Sequence, residues 1–211
     1  DLGTESFSVA SMVDDGSRPL FRFVAPTSAP ERTLPSLPSL LTNTLAKGEA
    51  WPATNRELNF RLTARDGKGG VSSDDMKIQV VNTGKAFALT SPLVTPLAAG
   101  QTQTIDWDVA GTNAAPINCS KVDLYMTRDE GVNWTLLAGG QPNSGSASVA
   151  IPAGSDGTAR LKVACSDNLF FAISPLKLSV TQRVEGGGGG GGALGFWTLA
   201  LALLGWQRRR A

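Results

Sequence analysis

The sequence predicts an all-β body followed by a single C-terminal hydrophobic helix. Three observations carry that expectation. Apolar and polar residues alternate in short runs along the body, clusters of Gly, Pro, Asn and Asp separate the runs, and no long stretch shows the apolar period of an amphipathic helix.

Taken in order, residues 7–12 and 20–24 are the first candidate strands. Residues 25–40 (APTSAPERTLPSLPSL) read as a long loop, because proline lacks the N–H that a helix or ladder requires. In residues 58–64 every second side chain is apolar: Leu58, Phe60, Leu62 and Ala64. A DGKGG turn follows at 66–70, and Met76, Ile78 and Val80 alternate again, so the pair reads as the closing strands of one β-sandwich module. A second module starts after Asn82-Thr83-Gly84, with strands expected at 86–90, 103–109, 121–128, 134–137, 146–151, 159–165 and 170–180. Short strands at close spacing suggest an immunoglobulin- or fibronectin-like sandwich. Its inward sets are Ile105/Trp107/Val109, Val122/Leu124/Met126, Ala147/Val149/Ile151 and Leu161/Val163/Cys165. The chain thus divides into a partial β-sandwich module with a Pro-rich loop (1–84), a second sandwich (85–181), a Gly-rich linker (182–192) and a hydrophobic helix with an arginine cluster (193–211).

The second module places the cysteines. Its third and sixth strands are expected to be antiparallel neighbours. Cys119 precedes one and Cys165 ends the other, so the two should bridge, for a loop-entropy gain of about 4 kcal/mol. An even pair fits an oxidising compartment.

Composition narrows the chemistry. The chain has 211 residues and no histidine, which excludes histidine-liganded zinc hydrolases, Ser-His-Asp triads and Cys-His dyads. The formal charge of +1 argues against a nucleic-acid partner. With the three terminal arginines set aside, 16 basic groups face 18 acidic ones, so the body is mildly acidic. The chain opens on Asp1 without an initiator Met or secretory leader and reads as a fragment or processed piece.

Four groups of residues invite a functional reading. Asp66, Asp74 and Asp75 around the glycine turn are candidate oxygen ligands for calcium, without the spacing of an EF-hand; solvated turn carboxylates are the plainer reading. Asp106 and Asp108 are two apart on a strand, so both face the solvent side opposite Trp107, a poor arrangement for a glycosidase pair. Trp51, before Pro52 in a loop, is an open candidate for a carbohydrate platform, whereas Trp107 alternates into the core. Residues 127–134 (TRDEGVNW) resemble the Asp-box hairpin of sialidases and other secreted β proteins, in which Asp129 and Gly131 would shape the turn and Trp134 would pack under it, with no catalytic role.

The tail consists of Gly186, Gly187, Gly188, Gly189, Gly190, Gly191 and Gly192, then the apolar run 193–206 (ALGFWTLALALLGW), then Gln207, Arg208, Arg209, Arg210 and Ala211. As a helix the apolar run covers about 21 Å; with the glycines it reaches about 31 Å, near the roughly 30 Å of a hydrocarbon core. Interfacial aromatics and the terminal arginines would hold the C-terminus in the cytoplasm and the body on the far side. Each glycine costs a helix about 1 kcal/mol relative to Ala, so that end of the span should unwind easily and present its backbone to a protease. Glycine run, short apolar helix and arginine cluster resemble the GlyGly-CTERM sorting signal of Gram-negative bacteria. The resemblance implies export, cleavage near the glycines by a rhombosortase-type intramembrane protease, and surface anchoring or release with type II secretion. A plain membrane anchor behind a flexible linker is the alternative.

The body carries a second resemblance. Residues 56–76 (RELNFRLTARDGKGGVSSDDM), 87–92 (FALTSP) and 103–113 (QTIDWDVAGTN), with 19–26 (PLFRFVAP) and 32–35 (RTLP), look like the C-terminal region of bacterial reprolysin-like (M12-type) zinc metallopeptidases. In that family zinc is held by an HExxHxxGxxH helix upstream of the β modules. With no histidine, this chain receives no catalytic residue and no metal ligand from the family. The resemblance implies a non-catalytic C-terminal accessory and surface-sorting region of an exported metallopeptidase, with zinc in the upstream domain. The alternative is a surface adhesin or carbohydrate-binding protein with the same fold and tail.

Overall fold

The computed structural model describes residues 13–182 other than 24, 29–30, 93–95, 155 and 168. The candidate strand 7–12, the glycine run, the apolar segment and the terminal arginines lie outside the described residues. Within them the protein is all-β, with one short helix. No helix among the described residues is long and apolar enough to cross a membrane.

The first unit is built on loops. Residues 20–24 were expected as a strand, but their described part is irregular. Pro19 offers no N–H to a ladder, and the Leu20 carbonyl accepts from the Ala50 N–H of a loop at 3.1 Å. Leu20 and Phe21 are nevertheless buried. The Pro-rich stretch also departs from expectation by ending in a helix, α1 (Leu37–Thr42). Pro38 is tolerated there because first-turn N–H groups have no partner within the helix. Asn43, at φ 50°, closes the helix in the left-handed conformation.

Next come β1 (Arg56–Arg65) and β2 (Val71–Val80), a two-stranded antiparallel sheet in continuous register. Leu58 pairs with Ile78 and Phe60 with Met76, so the apolar side chains share one face. Its base packs on Leu20, Phe21, Ala50 and Leu34, and the rings of Phe21 and Phe60 stack at 6.3 Å. Towards the tip the apolar face opens to solvent, and Leu62 is 63% exposed.

The second unit contains β3 (Ala88–Ser91), β4 (Leu97–Ala98), β5 (Thr102–Asp108), β6 (Lys121–Thr127), β7 (Thr135–Pro142), β8 (Ser146–Ala150), β9 (Asp156–Cys165), β10 (Phe171–Ile173) and β11 (Leu178–Thr181). One sheet runs β3-β5-β8. The other runs β4-β11-β9-β6-β7, with β10 also paired to β9. All neighbours are antiparallel except β4 and β11. Ile105, Trp107 and Val149 of the first sheet and Val122, Leu124, Met126, Leu161 and Val163 of the second share one core, as their alternation predicts. The strand expected over 170–180 is two strands, because residues 174–177 break it at Pro175, which cannot donate to a ladder.

Candidate functional site

The disulfide forms as expected. β6 and β9 pair antiparallel with Val122 opposite Cys165, which brings Cys119 and Cys165 to a Cα separation of 6.0 Å and into a bond. A buried polar node stands beside it. Trp107 Nε1 donates to Asn143 Oδ1 at 2.8 Å, and Asn143 Nδ2 donates to Thr112 Oγ1 and the Cys119 carbonyl, both at 3.0 Å. Asn143 thus ties β5, the segment before β6 and the turn before β8 together with no unpaired atom.

The Asp-box-like turn joins β6 to β7. The Thr127 hydroxyl donates to Asp129 Oδ1 at 2.7 Å and accepts from the Gly131 N–H at 2.9 Å. Asp129 accepts from the Asn133 backbone at 2.8 Å and from Asn133 Nδ2 at 2.7 Å. These Asn133 bonds, with that from Thr127, hold the Asp129 carboxyl below the usual carboxylate range. Gly131 has φ +83°, a conformation that strongly favours glycine.

From this turn Trp134 reaches a cation that sequence reasoning missed. Lys162 Nζ lies 4.4 Å from the Trp134 ring centroid, 4.5 Å from that of Tyr125 and 5.8 Å from that of Phe171. Burial pushes the lysine below its ordinary value, while the charge of Glu31 works in the other direction. The group comes from three strands and a turn, so only the strand pairing reveals it. Asp14 is a second such group, gathered by loops that lie far apart in sequence. Its buried carboxylate accepts from the Ala53 N–H at 2.7 Å, from the Gly16 N–H at 2.9 Å, from the Thr54 N–H and hydroxyl, and from Arg56 Nη1 at 2.8 Å. Burial alone would raise its pKa; these bonds outweigh burial and hold it far below the ordinary range.

The proposed calcium ligands do not converge. Asp75 is held bidentately by Arg61 at 2.6 and 2.8 Å, Asp66 accepts from the Lys68 and Gly70 N–H groups of its own turn, and Asp74 from the Asp75 N–H. Among the described residues, three metal-type donors gather only at Cys119, Cys165 and Asp167, where the sulfurs are spent in the disulfide. Asp106 and Asp108 are likewise engaged, by the Ser146 hydroxyl at 2.7 Å and by Lys85 Nζ at 2.7 Å. Trp51 remains open at 43% exposure.

No family model matches the chain, and no curated protein matches it significantly.

Proposed function

We propose that the chain is the non-catalytic C-terminal accessory and surface-sorting region of an exported zinc metallopeptidase, built on an immunoglobulin- or fibronectin-like sandwich. The Cys119–Cys165 disulfide supports the export part of this reading: it joins the segment before β6 to the end of β9, and such bonds persist in oxidising compartments. The sheet orders β3-β5-β8 and β4-β11-β9-β6-β7 support the sandwich assignment. The body would stand outside the inner membrane while residues 193–206 hold it there. A rhombosortase-type protease would cut within Gly186–Gly192, and type II secretion would carry the product to the surface or the medium. Mass spectrometry of the exported protein tests this. A C-terminus among the glycines is expected, and one at Ala211 would sink the sorting reading. An upstream reading frame without a zinc-binding helix would sink the peptidase reading.

A surface adhesin or carbohydrate-binding protein is the second reading, favoured by Trp51 at 43% and Phe23 at 91% exposure in the first unit. Glycan-array binding lost in Trp51→Ala would select it.

A further inference from the structure

Arg160 alternates outward on β9, opposite the buried Leu161 and Val163, yet it is only 4% exposed. An outward guanidinium stays in water unless something covers it and receives its protons. The 174–175 bend supplies one side of the cover and segment 31–42 the other. Arg160 Nη2 donates to the Leu41 carbonyl at 2.8 Å, while Nη1 donates to the Ser174 carbonyl at 2.8 Å and the Pro175 carbonyl at 3.2 Å. Leu37 rests on Gly131, where an added β-carbon would stand 2.9 Å from Leu37 Cδ2. Three residues earlier, Leu34 packs into the small core of the first unit.

We infer that residues 31–42 are a strap that fastens the hairpin unit to the outer face of the six-stranded sheet, with Gly131 as its socket and Arg160 as its catch. The Asp-box-like turn therefore has a docking role beyond closing its hairpin: its glycine supplies both the bend and the room for a leucine. The occupant is this chain's own segment, since one short stretch supplies Leu34 to one core and Leu37 and the Leu41 carbonyl to the other unit. The inference is independent of the sorting reading, because it concerns only how the two units of the body are joined.

Hydrogen–deuterium exchange on the disulfide-intact full chain tests it at the Leu40 and Thr44 amides, which bond to Ser36 and Ser39. Arg160→Met and Leu37→Asp should each speed exchange there by about tenfold or more, with β5 and β8 unchanged. The double variant should be no faster than the faster single one. Leu37→Asp keeps the test valid if Arg160→Met disturbs β9, because Gly131 and Trp134 lie outside both cores. Unchanged exchange in Leu37→Asp would overturn the strap. So would wild-type protection that falls on dilution, which would put the segment on a second copy.

Discussion

Asp14 and its counter-ion form a buried ion pair in the first unit, the Asp14 side chain fully buried and that of Arg56 nearly so. Breaking such a pair leaves an uncompensated buried charge, so Asp14→Asn should lower unfolding stability at neutral pH by about 3 kcal/mol, measured by urea titration. The folded carboxyl titrates below the unfolded one. Its contribution is therefore complete above the unfolded value of about 3.9 and is lost as pH falls through the folded value. Asp14→Asn should accordingly flatten the acid limb of a stability–pH profile; an unchanged limb would refute the assignment. Little of this was legible in the sequence, where Asp14 is one of two adjacent acids and its partners other than Gly16 lie 39 to 42 positions away. Trp107 was half legible: alternation placed its ring in the core, but its partner Asn143 shows only as a turn residue.

At the scale of elements, the turn between β6 and β7 makes the sharpest demand. Gly131→Ala forces a β-carbon into a positive-φ position and against Leu37, and should cost about 1–3 kcal/mol in thermal unfolding. Combining it with Leu37→Ala should recover part of the loss, and strict additivity would mean the two positions do not touch. The β1–β2 hairpin and most strands of the second unit were readable, because period-two alternation reports burial directly. The failures share a cause. Residues 20–21 are as apolar as a strand, yet the Leu20 carbonyl bonds to the Ala50 N–H of a loop, and Ser174-Pro175 interrupts what periodicity alone would continue. Helix α1 was hidden by prolines that exclude a helix interior but suit its first turn.

Across the whole molecule the disulfide restrains the unfolded chain more than the folded one, closing a loop between residues 46 apart. Cys119→Ser with Cys165→Ser should lower stability by about 2–5 kcal/mol, and reductant should shift the Tm of the native protein but not of the variant. Strand order made this pairing readable before any coordinates, since the third and sixth strands of the expected sandwich had to be neighbours. The strap was not readable, because it joins two units by a backbone carbonyl and a missing β-carbon, which leave no pattern in sequence. The parallel pairing of β4 with β11 has a mechanical meaning. Val180 lies beside Leu97, and Thr181 accepts from the Ala99 N–H at 2.9 Å. A pull on the C-terminus along β11, resisted by the chain entering β4, loads these bonds in shear, so they bear the force together instead of peeling one by one. The last strand among the described residues is thus held in the geometry that resists tension along the chain.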